Sequence, residues 1–251
     1  MASLGCSPDA WFQSAARLVK KHRLASPKRG FYLILRPEDQ AAGAPDPIRW
    51  IDPFMRGQGV DYRISLLRAA AFHGSSHQSA MVFQVIVPRQ LRPISIGRHR
   101  VQFVYQEPGA FAELNRPEWL DQIKSDAGYA AVAGIELTLL DSIRYFHKAA
   151  GINGAAQIIR DLGAKAVPGK LALAARVYEN SAVRRLGFLL ERFGHARQAK
   201  ALLPFAHRAK SMKLLDPSVR SPTVMASVEN SLHQKNATWQ LEINEPVEID
   251  A

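Results

Sequence analysis

Ser7-Pro8-Asp9-Ala10-Trp11-Phe12-Gln13-Ser14-Ala15-Ala16-Arg17-Leu18-Val19-Lys20-Lys21-His22-Arg23, followed by Leu24-Ala25-Ser26-Pro27-Lys28-Arg29-Gly30-Phe31-Tyr32-Leu33-Ile34-Leu35, decides the reading of this chain. A Ser N-cap, a Pro at the first helical position and an acid in the first turn start a helix at Ser7. Trp11, Ala15, Leu18 and Val19 recur at helical spacing and share one face. Gln13, Ser14, Arg17, Lys20 and Lys21 fall largely elsewhere. The helix is expected to stop near Arg23, because Leu24-Ala25-Ser26-Pro27 breaks helical character. The aromatic and β-branched run Gly30–Leu35 reads as a strand. The order is therefore basic helix, short strand, basic turn at Ser26–Gly30, strand.

That order is the second half of a winged helix-turn-helix. The helix would lie in the major groove, with Lys28 and Arg29 at the wing tip near a phosphate or the minor groove. Candidate DNA-binding residues are Gln13, Ser14, Arg17, Lys20, Lys21, Arg23, Lys28 and Arg29. An amphipathic helix and hairpin without a ligand fit the same period, but the charge sits on the helix end and the hairpin tip. A complete motif needs a helix before the recognition helix. Only Met1–Cys6 precede it, so either the rest of the chain supports the helix or the true start lies upstream.

The whole chain has 251 residues, a formal net charge of +11 and a pI near 10.0. Residues 1–36 hold seven cations against the single Asp9, an excess of +6. Such a balance favours a polyanionic partner, because released counterions drive binding to phosphate. A hydrophobic share of 47% allows a packed core. Apolar runs such as Met81–Val87 are too short to span a bilayer, and no signal peptide is visible. The single cysteine, Cys6, excludes an internal disulfide and a cysteine-rich zinc site. These features fit a soluble cytoplasmic protein.

Beyond the hairpin, Pro37, Pro45, Pro47 and Pro53 punctuate the chain, and residues 37–47 read as a linker. Residues 48–251 form the expected carboxy-terminal interaction domain, β-rich over 60–132 and helical over 134–207. Ile48, Ile51, Phe54 and Met55 suit a short helix face. Tyr62–Ser65 is strand-like, and Ser65 is expected to cap a helix ending at His73-Gly74. Met81–Val87 reads as a strand. Pro93–Ile96 and Val101–Tyr105 form a hairpin around Gly97-Arg98-His99-Arg100, with Arg89 and Arg92 nearby. Helices are expected over Glu136–Phe146, Ala155–Leu162, Gly169–Tyr178, Ser181–Phe193 and His195–His207, and a strand over Trp239–Ile243. The fold class is thus α+β: a partial winged helix-turn-helix, a mixed segment and a helical bundle.

No phosphate-binding loop, dinucleotide fingerprint, zinc-protease helix or nucleophile elbow is present, so no catalytic residue, cofactor or metal is expected. His73 and His77 are spaced for a metal, but Gly74 interrupts the helix. Glu136 and Asp141 lie five apart on one helix, on different faces, and suit capping and ion pairs. Arg184, Arg185 and Glu191 look like a surface network, and Arg clusters also suit acidic or RNA partners. Gly187 beside them either permits close approach of a partner backbone or lets two helices of the bundle pack.

Several stretches resemble the AbiEi family of type IV antitoxins and related transcriptional regulators. They are Arg17–Leu24, Ser26–Tyr32, Ala69–Gly74, Glu136–Asp141, Arg185–Glu191 and Trp239–Asn244, in the family's order over nearly the whole chain. The resemblance implies an amino-terminal winged helix-turn-helix and a larger carboxy-terminal region. It implies binding to double-stranded DNA at the protein's own promoter, repression of that operon, and neutralisation of a nucleotidyltransferase-like toxin in abortive infection. Arg184, Arg185, Gly187 and Glu191 are the expected interaction surface. Family members carry about one further helix before the segment that starts this chain, so the amino terminus is expected to be truncated. A stand-alone winged-helix regulator without a toxin is the alternative. A nuclease would need clustered acids with a lysine or a metal triad, which the sequence lacks.

Overall fold

The computed structural model describes residues 7–75, 82–219 and 234–247. Cys6, His77 and Met81 lie outside the described residues. In chain order the elements are helix α1 (Pro8–Lys20), strands β1 (Leu24–Lys28) and β2 (Phe31–Ile34), α2 (Ile51–Gly57), β3 (Arg63–Ile64), α3 (Leu66–Phe72), β4 (Val82–Val87), β5 (Ile94–Ile96) and β6 (His99–Tyr105). There follow α4 (Pro108–Leu114), β7 (Leu120–Ser125), β8 (Gly128–Ala133), α5 (Ile135–Arg144), α6 (Gly151–Leu162), α7 (Pro168–Ala174), α8 (Asn180–Arg192) and α9 (Ala196–His207). Strands β9 (Lys213–Leu214), β10 (Gln234–Asn236) and β11 (Leu241–Ile243) close the order. The fold is α+β, as expected.

The chain forms two compact units. The first comprises Met1–Arg63, Met81–Gln106 and Gln122–Ala131; the second comprises Ile64–Ala80, Glu107–Asp121 and Val132–Ala251. The first unit therefore recruits segments far beyond residue 36.

In the first unit, α1 precedes the antiparallel hairpin β1–β2. Its strands β4, β5 and β6 stand side by side in the order β5-β6-β4. Strand β4 is the apolar run Val-Phe-Gln-Val-Ile-Val, and Phe83 through Val87 are all buried, the pattern of an interior strand covered on both faces. It pairs in parallel with β6, from Val82 opposite Arg100 to Val87 opposite Tyr105. Strand β5 folds back on β6 through the tight turn Gly97-Arg98.

Residues 37–47 are not a linker. The Arg98 N–H donates to Ala42 O at 2.8 Å, His99 Nε2 lies 3.1 Å from Ala44 O, and Ala44 is buried. A Cβ on Gly97 would stand 2.1 Å from Ala42 O, so only glycine lets the two backbones touch. Prolines set the path here, at Pro37 and Pro47 in short 3-10 turns, and Asp39, Ala44, Pro45 and Pro47 are buried.

In the second unit, α5, α6, α8 and α9 bury Leu137, Leu140, Ile158, Ile159, Leu186 and Leu202. The helices expected over 134–207 occur within a few residues of their expected ends. A small sheet of order β10-β11-β9 follows, with β11 antiparallel to β10 and parallel to β9. Ser65 precedes α3 without capping it. Its hydroxyl donates instead to the buried Asp141 carboxylate at 2.8 Å. No helix among the described residues is long and apolar enough to cross a membrane.

Candidate nucleic-acid interface

Helix α1 begins as its sequence dictates. Ser7 Oγ accepts the Ala10 N–H at 3.3 Å, Pro8 opens the helix and Asp9 sits at its positive end. Its end is less legible. The Arg23 N–H donates to Leu18 O at 2.9 Å and the His22 N–H to Val19 O at 3.0 Å, with His22 at φ 51°. This is the paired closure that glycine usually serves, here built on histidine. Leu35 N–H then donates to Arg23 O at 3.0 Å, which ties the hairpin to the end of the helix.

The hairpin tip is fixed locally. Ser26 Oγ lies 2.9 Å from Lys28 O and 3.0 Å from Phe31 O, and Gly30 takes φ 85° in the turn. Trp11 stacks on Tyr32 at 5.0 Å, and the Arg29 guanidinium lies 6.0 Å from the Phe12 ring. The apolar face of α1 is only partly used. Ala15 is buried, whereas Leu18 and Val19 are 41% and 36% exposed. The sequence placed all four apolar residues on one face, of which Ala15 alone is buried.

Gln13, Arg17, Lys20, Lys21, Arg23, Lys28 and Arg29 are exposed, and Ser14 is half-buried. Arg17 Nη2 donates to Ser14 Oγ at 3.1 Å. Lys28 Nζ donates to Gln58 Oε1, and Arg89 Nη2 donates to Gln58 O at 3.2 Å. Gln58 thus brings a seventh exposed cation, Arg89, beside the hairpin tip. Its sequence position gave no sign of this, because the contact spans thirty residues.

Among the described residues, none of Arg17, Lys20, Lys21, Arg23, Lys28 and Arg29 has a carboxylate within 4.0 Å. Arg36 differs. It reaches Asp126 at 2.7 Å, and Arg49 reaches the same carboxylate at 3.2 Å. The backbone N–H of Asp126 and then these two guanidiniums hold its carboxyl below the usual range. The amino-terminal excess thus resolves into six cations without a counter-charge and one that is neutralised. Six like charges on one helix and hairpin repel one another unless an anion joins them.

Of the four residues expected as an interaction surface on α8, Arg184, Arg185 and Gly187 are buried and Glu191 is exposed. Arg184 and Arg185 are 3% and 8% exposed. Arg184 Nη1 donates to Ser211 O and Gln240 O at 3.0 and 2.9 Å, and Arg185 donates through Nε and Nη2 to Leu214 O at 3.1 and 2.9 Å. Burial pulls both guanidinium pKa values down. Gly187 lies under the fully buried Trp239, whose indole N–H donates to Glu191 Oε2 at 2.8 Å. The four residues anchor the final strands. Carbonyl acceptors carry no sequence signature, so two adjacent arginines read as exposed.

Other side chains singled out in the sequence are structural. His73 Nε2 lies 2.7 Å from Ala133 O and 3.9 Å from the Asp121 carboxylate. Glu136 accepts the Val167 N–H at 2.8 Å and pairs with Lys170 at 3.5 Å. Asp141 accepts the Ser65 and Tyr178 hydroxyls at 2.8 and 2.7 Å.

The family model described as the AbiEi antitoxin C-terminal domain matches residues 63–192. A search of curated proteins finds no match. Among solved structures, the chain is similar to the crystal structure of the Rv2827c protein from Mycobacterium tuberculosis. The TM-score is 0.62 at 18% identity, covering 95% of this chain and 80% of that one. At that identity the likeness shows the fold. The basic helix and hairpin lie outside the stretch matched by the family model. That stretch spans just over half of the chain, and the protein therefore belongs to the AbiEi antitoxin family, a regulatory, non-enzymatic kind of protein with the antitoxin role in a toxin–antitoxin pair.

Proposed function

We propose that the protein is a DNA-binding antitoxin. Helix α1 enters the major groove of its own promoter and the β1–β2 hairpin acts as the wing, so that binding represses the operon. The carboxy-terminal part counteracts a nucleotidyltransferase-like toxin. The observation that carries the DNA reading is the set of six cations on α1 and its hairpin, exposed and without a carboxylate partner among the described residues. Arg29 and Lys28 at the tip would hold phosphates, while Gln13, Ser14 and Arg17 on the helix suit base edges.

The test is charge substitution rather than truncation. Leu33, Leu35 and Ala44 are buried, so deleting residues 1–47 would strip the first unit of core. Arg17→Ala, Lys21→Ala and Lys28→Ala together change exposed atoms. In a gel-shift salt series on promoter DNA, the parent should weaken steeply with salt, and the triple variant should lower the slope of log K against log salt by about 1.8, through loss of Lys21 and Lys28. In a co-expression growth assay the same variant should still rescue cells from the toxin. A triple variant that binds DNA like the parent removes α1 and the hairpin from the interface. Loss of rescue with retained folding would join the two activities to one surface.

A further inference from the structure

We infer that the groove between α7 and α9 is the docking site for an acidic, apolar-faced helix of the toxin. The inference rests on the antitoxin reading and adds that neutralisation works by direct contact. Shape, unused apolar surface and charge each bear on it.

The groove has a volume of about 680 Å³ and lies wholly within the second unit. Ala172 of α7 and Ala201, Pro204 and Phe205 of α9 wall it. Two small side chains and two rings make a smooth trough, of the kind that takes the apolar stripe of a third helix.

Apolar groups here stay in solvent. Leu173, next to Ala172 on α7, is 52% exposed. Pro204 stands inside α9, where proline forgoes a helical hydrogen bond, and it too is exposed. Neither adds to the core of the unit. A partner's apolar side chains laid along the groove would cover both.

The rim is cationic. Arg176, His207 and Arg208 complete the lining. Among the described residues, neither Arg176 nor Arg208 has a carboxylate within 4.0 Å. Residues 163–178 and 193–215, which include both helices, contain no Asp or Glu. Glu136 and Glu179 on neighbouring segments pair with Lys170 and Arg144 at 3.5 and 2.9 Å, and neither lines the groove. Arg208 Nε donates to Pro204 O at 3.1 Å, and its guanidinium lies 5.0 Å from the Phe205 ring centroid. The charge is thus held at the edge of the apolar trough, where its Nη groups can meet a carboxylate. A trough with such a rim complements a helix with an apolar stripe and flanking acids. Duplex DNA would use the rim through its phosphates and leave the trough uncovered.

Isothermal titration of the full chain with the toxin encoded beside it tests the site. The parent should bind, and binding should weaken as salt rises. Arg176→Glu with Arg208→Glu, both at exposed positions, should weaken binding at least about tenfold. Leu173→Gln removes only exposed apolar surface and should weaken it about fivefold. Lys235→Ala, an exposed cation on the same unit that does not line the groove, should leave binding unchanged. Hydrogen exchange on the parent should slow over residues 168–177 and 196–208 when the toxin is added; with Leu173→Gln, this decides the matter even if the charge-reversed variant fails to fold. No binding by the parent, undiminished binding in the folded variants, or an equal loss in Lys235→Ala would overturn the inference. A parent that rescues cells without binding the toxin overturns it and leaves the antitoxin reading standing. A parent that binds through this groove but gives no rescue supports the docking site and refutes the antitoxin reading. If the charge-reversed variant loses promoter DNA affinity while toxin binding is unchanged, the groove is a nucleic-acid surface and the inference is refuted.

Discussion

Replacing Gly187 by alanine tests whether α8 serves as an anchor or as a docking face. A Cβ at this position would lie 2.0 Å from Trp239 Cζ3, 2.2 Å from Cη2 and 2.7 Å from Cε3. Carbon atoms pack at about 3.5–4.0 Å, so the ring must move by roughly 1.5 Å. It has little room to do so. Trp239 is fully buried, its indole N–H is held by Glu191 at 2.8 Å and its backbone N–H by Asn236 Oδ1 at 2.9 Å. Mild overpacking costs about 1–3 kcal/mol, whereas losing a buried aromatic costs about 3–5 kcal/mol. The overlap is too deep for the milder case, so the ring leaves its site. Alanine regains about 1 kcal/mol of helix propensity over glycine. The expected net loss is about 2–4 kcal/mol, read as a shift in urea midpoint followed by circular dichroism. Trp239→Leu in the Gly187→Ala background should be no less stable than Trp239→Leu alone, because the clash has gone; the cycle should show a coupling of about 2 kcal/mol or more. Stability within about 0.5 kcal/mol of the parent, or an additive cycle, would refute the packing argument and return Gly187 to an accessible surface.

Two more perturbations address buried and capping groups. Tyr178→Phe removes the 2.7 Å hydrogen bond to the fully buried Asp141 and should cost about 1–3 kcal/mol by chemical denaturation, with Ser65→Ala acting in the same direction through the other carboxylate oxygen. Glu107 accepts the Gly109 and Ala110 N–H groups at 2.9 Å at the start of α4, and these bonds hold its carboxyl below the usual range. Its folded pKa is depressed, so its stabilisation is present above the unfolded value of about 4.3 and is lost as pH falls through the folded value. Glu107→Gln should accordingly flatten the acid limb of a thermal-unfolding series below about pH 5.

What the sequence disclosed was local. Ser7-Pro8-Asp9 starts α1 because capping chemistry acts within one turn. Ile94–Ile96 and His99–Tyr105 pair around Gly97-Arg98 because a hairpin closes over two residues. The bundle helices announced themselves through period and glycine or proline breaks. Long-range contacts did not. The parallel pairing of β4 with β6 and the packing of Ala42–Ala44 against Gly97 depend on closures that no local pattern encodes. The hairpin-like strands β7 and β8 and the short helix α4 escaped notice as single elements. Of the candidate site, the cations of α1 and the hairpin tip were legible, whereas Gln58 and Arg89 beside the tip were not.

Arginine shows most clearly why composition stops short of function here. Arg36 and Arg49 spend their charge on Asp126, and Arg144 on Glu179. Arg184 and Arg185 are drawn inward by the carbonyls of Ser211, Leu214 and Gln240. None of these five offers a free cation to a polyanion, though all five count toward the net charge of +11. Arg17, Arg23 and Arg29 have neither acid nor cavity, and keep their full field at the surface. The useful quantity for an anionic partner is therefore the set of cations the fold leaves uncompensated, and in the first unit that set includes the cations of α1 and its hairpin together with Arg89, Arg92, Arg98, Arg100 and Lys124. A helix with a single buried residue, Ala15, gains little from its own core, so what positions α1 is its Schellman-type end, the Leu35–Arg23 bond and the Trp11–Tyr32 stack. Those restraints hold the backbone while leaving the Arg17 and Lys20 side chains exposed.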